Sequence, residues 1–171
     1  KISPEKPTET VSPEAFVQPL SAVVQRCGMQ ERVIVQSFDW RTLALVQKTA
    51  PRMRTAYLTV QQPWTDNITS KTPDSPRWTG AIRYETHSDA PSMVEAGGGV
   101  IWSPYFGDIT SALVKKAQQL GLRVVPWTVN EAAQLDAVID MGVDGLISDY
   151  PDRAREAMQR KGLPLPPGIA P

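Results

Sequence analysis

The 171-residue sequence predicts an α/β fold, in which short buried strands alternate with amphipathic helices. Runs of mostly β-branched apolar residues recur along the chain, as is typical of buried strands. Between these runs lie stretches whose apolar residues are three or four positions apart, as on one face of a helix. Hydrophobic residues make up 41% of the chain and charged residues 21%, as in ordinary globular proteins.

The predicted strands are apolar on both faces, which favours parallel strands covered by helices on each side. They span residues 32–36, 55–60, 99–102, 122–127 and 144–147. The predicted helices span residues 13–26, 40–49, 110–120, 131–141 and 151–160. Short polar residues precede helices as candidate N-caps at Asp39, 108–110, Asn130 and Asp149. Glycines follow three helices as candidate stops, at Gly28, Gly121 and Gly142.

The spacing of the strands favours a closed barrel. The strands start near residues 33, 55, 100, 123 and 145, and three of the four intervals are about 22 residues, which suits one strand–helix unit. Units of equivalent length favour a (β/α)8 TIM barrel, while an open doubly wound sheet stays an alternative. Because a complete barrel has eight strands, we expect residues 1–162 to form only about its last five units, with the shortfall at the amino end. Residues 163–171 form a Pro-rich tail.

The one long interval contains a Pro-, Thr- and Ser-rich insertion at residues 61–88, with Trp64 and Trp78. It directly follows a strand, and therefore belongs to the carboxyl end of the sheet, where α/β folds bind ligands. The sequence suggests no regular structure for this insertion, and long loops of that kind are usually functional or disordered. The two tryptophans favour a functional loop.

Composition excludes several classes of protein. The 18 basic and 18 acidic residues give zero net charge, which argues against a nucleic-acid or polybasic membrane surface. No apolar run approaches the roughly 20 residues that cross a bilayer. The single cysteine, Cys27, excludes a disulfide within the chain, and we expect it to be buried as a small apolar residue. The single histidine, His87, is expected in a surface loop.

Four segments in order resemble the glycerophosphodiester phosphodiesterase family, whose members are TIM barrels. They are VIVQSFDW at 33–40, IWSPYFGDITSALVKKAQQLGL at 101–122, LGLRVVPWTVN at 120–130 and MGVDGLISDYPDR at 141–153. The resemblance covers almost the whole chain. It implies hydrolysis of glycerophosphodiesters to glycerol 3-phosphate and an alcohol, assisted by a divalent cation, calcium or magnesium.

The same resemblance places the reactive groups outside this sequence. The family carries His-Arg and Glu-Asn-Thr on its first strand, Glu-x-Asp and then a second histidine on its next strand, and Glu-x-Lys on its third. This sequence matches the family from the lysine of the last motif, Lys1. Both catalytic histidines and the three metal-binding carboxylates would then precede residue 1, so we expect no catalytic residue, no metal ligand and no activity in the chain alone.

Five residues are predicted to contact substrate. By resemblance, Lys1 approaches the phosphate, although the residue alone suggests a solvated terminal lysine. Ser37 and Phe38 end a strand and face the mouth of the barrel, unless Ser37 only forms the turn that Asp39 caps. Trp127 is expected to line the pocket against the glycerol carbons, with a core aromatic as the alternative. Tyr105, with Phe106 beside it, is a candidate contact for the leaving group.

Other motifs are interpreted structurally. Asn130 and Asp149 are expected to cap helices rather than to bind a ligand or a metal. Residues 97–99 are three glycines, but they precede a strand, whereas a phosphate loop follows one.

Alternatives stay open for the chain as a whole. It is expected to need the upstream part of its barrel, and it could instead be a non-catalytic half-barrel that binds or assembles, including as an oligomer, because the edges of an unclosed sheet are free to pair. Another phosphate-binding TIM-barrel enzyme is a third possibility. The family resemblance favours a periplasmic or secreted protein over a cytoplasmic one.

Overall fold

Four parallel strands lie side by side in the order in which they occur along the chain. The structure is a computed structural model and describes residues 3–69 and 78–167. In order, the elements are α1 (Pro13–Arg26), β1 (Ile34–Ser37), α2 (Trp40–Thr49), β2 (Arg54–Thr59), β3 (Gln61–Gln62), β4 (Thr65–Asp66), α3 (Tyr84–His87), α4 (Ala90–Ala96), β5 (Ile101–Pro104), α5 (Ser111–Gln119), β6 (Arg123–Val124), α6 (Ala132–Asp140) and α7 (Pro151–Arg160).

The sheet confirms the predicted parallel α/β arrangement. Its order is β1-β2-β5-β6, with helices in the connections. The predicted fifth strand, residues 144–147, is not a regular strand, but it runs beside β6. Asp144 donates its backbone N–H to the carbonyl oxygen of Val124 and Ile147 donates to Pro126, both at 2.9 Å. Sequential parallel order is the arrangement of strands in a (β/α)8 barrel.

The core lies between the strands and the helices that cover their outer face. Trp40 on α2 contacts Tyr57 on β2 edge-on, with ring centroids 4.9 Å apart, and both side chains are almost fully buried. Further along the sheet, the indole of buried Trp102 donates a hydrogen bond to Thr59 Oγ1 at 2.9 Å. The polar atoms of these large side chains are thus satisfied inside the core, as burial requires.

Two of the four predicted N-caps are confirmed and two are wrong, although α6 and α7 begin within one residue of their predicted starts. Asp39 accepts from Arg41 N at the start of α2, and Thr110 accepts from Leu113 N at the start of α5. Asn130 and Asp149 cap no helix. Instead, Asn130 Nδ2 donates to Asp149 Oδ2 at 2.9 Å, and Asn130 Oδ1 accepts from the backbone N–H of Asp149 at 3.0 Å. Asn130 and Asp149 thus bond each other across two loops instead of capping the helices that follow them.

The predicted glycine stops are confirmed. Gly28, Gly121 and Gly142 all have positive φ, between 64° and 80°, which a side chain would strain. The cysteine prediction is wrong: Cys27 is the exposed C-cap residue that follows α1.

The described parts of the insertion, residues 61–69 and 78–88, contain more regular structure than the composition suggests. Strands β3 and β4 form a short antiparallel hairpin, and α3 is a single helical turn before α4. His87 is the last residue of α3 and is partly buried, so it belongs to a helix rather than to a loop. Within the two described ranges, no helix is long and apolar enough to cross a membrane.

Candidate functional site

The carboxyl ends of the strands meet at one edge of the sheet. Ser37 lies beside Tyr57, Thr59 lies beside Pro104, and Tyr105 forms a bridge to Trp127 just beyond β5 and β6. In a barrel of parallel strands this edge is the face on which ligands bind. The residues that follow each strand therefore share one surface, although they are far apart in the sequence.

Three aromatic side chains that end these strands form a continuous wall. Phe38 meets Trp127 edge-on with ring centroids 5.3 Å apart, and Tyr105 meets Trp127 at 5.6 Å. Both distances lie within the favourable range for edge-on aromatic pairs. The indole N–H of Trp127 donates to the carbonyl oxygen of Ser103 at 2.8 Å, which fixes the ring. The predicted residues Phe38, Tyr105 and Trp127 are thus brought together at the mouth of the sheet.

The wall borders an open cavity of about 310 Å³ at this edge. Phe38 and Trp127 line it from the sheet, while Trp64 and Trp78 line it from the insertion. Its remaining lining comes from Glu5, Val60, Thr65 and Asn67. The volume is in the range of pockets that hold small ligands. Trp127 therefore lines a cavity and is partly exposed rather than a core residue, while its contact with the glycerol carbons stays a prediction.

Ser37 does not line this cavity, and its hydroxyl is used within the turn. Ser37 Oγ accepts a hydrogen bond from the backbone N–H of Asp39 at 3.0 Å. Asp39 is 1% exposed and also binds the Arg41 guanidinium through both carboxylate oxygens, at 2.9 and 2.6 Å. The hydrogen bond to Asp39 raises the pKa of the Arg41 guanidinium, because it favours the charged form of that group. These contacts correspond to the turn interpretation of Ser37.

Lys1, the predicted phosphate contact, lies outside the described residues. Phe106 begins a short 3-10 helix after β5, where its backbone N–H donates to the carbonyl oxygen of Trp127 at 2.8 Å, and its contact with the leaving group stays a prediction. That bond joins the loop after β5 to the end of β6 and holds Tyr105 in the wall.

Sequence reasoning missed Asn67, which joins the loops at the mouth. Its Oδ1 accepts from Val60 N at 2.9 Å, and its Nδ2 donates to the carbonyl oxygens of Leu58 and Phe38 at 3.0 and 3.2 Å. Asn67 is 7% exposed, so these bonds are shielded from water. Only its place shortly after a strand, in a polar insertion, could have suggested this role.

The described side chains offer contact surface and hydrogen bonds, but not a metal centre. Within residues 3–69 and 78–167, no group of three or more His, Cys, Asp and Glu side chains is placed to hold a metal ion. These residues therefore do not fit the divalent cation that the family resemblance implies. The whole chain contains one histidine, which is fewer than a two-histidine mechanism requires.

Comparison with known proteins finds glycerophosphodiester phosphodiesterases among the relatives. A glycerophosphodiester phosphodiesterase of Bacillus altitudinis is 30% identical over 139 residues, covering 80% of this chain and 48% of that protein. One of Caldanaerobacter subterraneus subsp. tengcongensis is 25% identical over 146 residues, covering 84% of this chain and 49% of that protein.

A solved structure agrees with these relatives. The crystal structure of a candidate glycerophosphoryl diester phosphodiesterase from Silicibacter pomeroyi superposes with a TM-score of 0.73 and 34% identity, over 90% of this chain and 47% of that chain. The chain thus spans about half the length of the relatives that it matches. The sequence profile described as the Glycerophosphoryl diester phosphodiesterase family matches residues 1–153. This chain, an α/β protein with sequential parallel strands, belongs to the glycerophosphoryl diester phosphodiesterase family, whose fold is a TIM barrel.

Proposed function

We propose that this chain is the carboxyl-terminal part of a TIM-barrel phosphodiesterase, and that it forms the aromatic wall of the substrate pocket. In the complete barrel, a glycerophosphodiester is hydrolysed to glycerol 3-phosphate and an alcohol. The observation that carries the proposal is the contact of Phe38, Tyr105 and Trp127 at the carboxyl ends of β1, β5 and β6. This is the edge at which barrel enzymes bind their substrates.

The contribution of the wall is binding and orientation. Its rings present apolar surface to the carbon skeleton of the substrate and exclude water from that side of the pocket. Because the Trp127 N–H is already bonded to Ser103, the ring acts through its surface rather than as a donor. Holding one side of the substrate in place helps the reacting groups on the other side to meet the phosphodiester in a productive geometry.

The reacting groups would come from the remainder of the barrel. We propose that the two histidines and the carboxylates that bind calcium or magnesium belong to its earlier strands, with Lys1 approaching the phosphate. Two observations support this division: the chain has a single histidine, and it spans about half the length of its relatives. The chain alone is therefore proposed to be inactive and to need its upstream part.

An assay of the chain with glycerophosphocholine and either calcium or magnesium tests this proposal. We expect no release of glycerol 3-phosphate from a chain that circular dichroism shows to be folded, while the full-length Bacillus altitudinis relative serves as the positive control. Clear turnover by the chain alone would contradict the proposed division of the site.

A chimera gives the complementary test. The amino-terminal half of the Silicibacter pomeroyi relative, fused to this chain, should release glycerol 3-phosphate. In that chimera, Trp127→Ala should raise KM more than it lowers kcat, because the wall contributes mainly uniform binding. A folded chimera without activity, or one that Trp127→Ala leaves unchanged, would count against the proposed role of the wall.

A second candidate, an assembly module, is favoured by the edge of the sheet. Within the described residues, β1 pairs only with β2, and Ile34 on β1 is 43% exposed. A free strand edge with apolar side chains invites pairing with another chain. Size-exclusion chromatography with light scattering distinguishes the two: a stable oligomer would support assembly through this edge, and a monomer would disfavour it.

A further inference from the structure

The β3–β4 hairpin holds an exposed tryptophan over the cavity at the mouth. Trp64 lies in the turn of this hairpin and is 63% exposed, yet its ring contacts Tyr105 edge-on at 5.4 Å. The hairpin is tied to the loop after β5, because Asp108 Oδ2 accepts from the backbone N–H of Gln61 at 2.8 Å and Asp108 also accepts from the Gln62 side chain. Trp64 is therefore positioned before any ligand arrives.

A carboxylate also lines the same cavity. Glu5 Oε1 accepts a hydrogen bond from the indole N–H of Trp78 at 3.1 Å, and both residues line the cavity. Glu5 is the only charged residue among the described lining residues. The cavity thus combines the rings of four aromatic residues with one negative charge, a combination that attracts a cation.

The hydrogen-bonding groups that line the cavity favour a methylated ammonium over a primary ammonium. The Asn67 side chain already makes three hydrogen bonds to backbone groups, and Trp64 and Trp78 present no acceptor beyond their π faces. A primary ammonium carries three N–H donors, and beyond the Glu5 carboxylate and the Thr65 hydroxyl the lining offers few acceptors for them. A methylated ammonium has no N–H to satisfy, and aromatic faces are the surface that recognises it.

We propose that Trp64, Trp78 and Glu5, together with Phe38 and Trp127, form a cage for the quaternary ammonium group of a choline-type alcohol. This inference rests on the proposed function, since the ammonium would belong to the leaving group of the diester. It assigns the inserted hairpin a role in selecting that leaving group, and it concerns binding by this chain's own residues.

Binding can be measured on the chain as it is, without any turnover. Choline and its uncharged carbon isostere, 3,3-dimethylbutan-1-ol, are titrated while the indole N–H resonances are followed by NMR. We expect choline to shift the resonances of Trp64 and Trp78 and to bind about fivefold more tightly than the isostere, as a cation–π contribution predicts. Ethanolamine should bind more weakly than choline.

Variants separate the π faces from the carboxylate. Trp64→Leu keeps apolar volume and should weaken choline binding about fivefold while hardly changing that of the isostere, and Trp64→Phe should restore part of the loss. Glu5→Gln keeps an acceptor for Trp78 but removes the charge, so the advantage of choline over the isostere should shrink. Tyr150→Leu and Glu156→Gln, both at exposed positions outside the cavity, serve as controls and should change nothing.

Equal affinity for choline and its isostere, or no shift at millimolar choline, would overturn the cage. Loss of binding in the two control variants would overturn it as well. These outcomes are independent of the chimera assay: an active chimera with no choline preference would refute the cage alone, and a choline-binding chain in an inactive chimera would refute the proposed function alone.

Discussion

The side-chain amide of Asn67 donates a hydrogen bond to the carbonyl oxygen of Phe38 at 3.2 Å, which joins the insertion after β2 to the end of β1. The same nitrogen bonds the carbonyl oxygen of Leu58, and the oxygen of that amide accepts from Val60. The buried side chain of Asn67 thus fixes the position of the Phe38 backbone. The aromatic wall depends on this residue for its geometry, although Asn67 presents no ring of its own.

We therefore expect Asn67→Ala to destabilise the fold by about 2–4 kcal/mol, since it removes three hydrogen bonds and leaves buried backbone groups unpaired. Asn67→Asp keeps the acceptor for Val60 N but places a carboxylate against two carbonyl oxygens, so it should be at least as harmful. Urea unfolding followed by circular dichroism measures both losses.

Gln159→Ala, on the exposed side of α7, is the matched control and should change the free energy of unfolding by less than about 0.5 kcal/mol. If Asn67→Asp proved as stable as the parent chain, the donor role assigned to the Asn67 amide would be wrong.

The parts of the fold that the sequence predicts are those that depend on local periodicity. Strand order followed from even spacing, and the caps at Asp39 and Thr110 followed from residue type. Asn130 and Asp149 have the same residue types but pair with each other across two loops. Nothing in their local sequence distinguishes these two cases, because the difference lies in which side chain the fold brings opposite.

The candidate site also contains residues whose positions the sequence predicts and residues whose positions it does not. Phe38 and Trp127 could be predicted because they end strands, and parallel strands bring such residues to one edge. The sequence drew attention to Trp64 but could not predict its position in the fold, because the insertion has no periodicity. The hairpin that carries Trp64 is held by a hydrogen bond from Gln61 to Asp108, which lies 47 residues away in the sequence. Long-range hydrogen bonds of this kind leave no pattern in a single sequence.

Tyr57 should make the fold sensitive to alkaline pH. Its hydroxyl donates to the carbonyl oxygen of Gly97 at 2.6 Å, and burial raises the pKa of the Tyr57 phenol. The folded state therefore holds this proton above pH 10, where the unfolded chain releases it, so its contribution to stability is full below about pH 10 and is lost as the pH rises further. Tyr57→Phe should reduce this alkaline loss while costing about 1 kcal/mol near neutral pH.

Urea unfolding at about pH 8 and above about pH 10 checks this expectation. Tyr150→Phe, at an exposed tyrosine, should leave the alkaline loss as it is in the parent chain. An equal alkaline loss in Tyr57→Phe and in the parent would show that another group is responsible.

Asp89 should have the opposite dependence on pH. Partial burial acts to raise the pKa of Asp89, but the hydrogen bonds from Lys116 and from the backbone N–H of Ser92 outweigh it, so the pKa lies below its ordinary value. Its contribution is therefore present above the unfolded value of about 3.9 and is lost as the pH falls through the folded pKa.

Asp89→Asn keeps the cap of α4 but removes the charge, and should cost about 0.5 kcal/mol at neutral pH. Asp89→Ala also removes the cap and should cost about 1 kcal/mol more. Unfolding curves between about pH 7 and pH 3 should show the cost of Asp89→Asn vanishing in acid. Thr110→Ala, which removes the uncharged cap of α5, is the control whose cost should not depend on pH.

Gly99 should tolerate no side chain, because two core residues crowd it just before β5. A Cβ at this position would lie 2.5 Å from Val94 Cγ1, 2.9 Å from the carbonyl oxygen of Val94 and 2.9 Å from a ring carbon of Tyr57. The carbonyl oxygen cannot rotate away as a side chain can, so Gly99→Ala should destabilise the fold by about 1–3 kcal/mol.

Gly145→Ala provides the comparison, since its Cβ would meet nothing nearer than Val125 Cγ2 at 3.6 Å, an ordinary contact. That substitution should leave the free energy of unfolding unchanged or raise it by up to about 1 kcal/mol, because alanine lowers the entropy of the unfolded chain. Urea unfolding of both variants measures the contrast. Equal stability of the two variants would mean that the backbone before β5 moves away from Val94 and Tyr57 at little cost, and that the close packing of residues 97–99 is not what fixes the start of this strand.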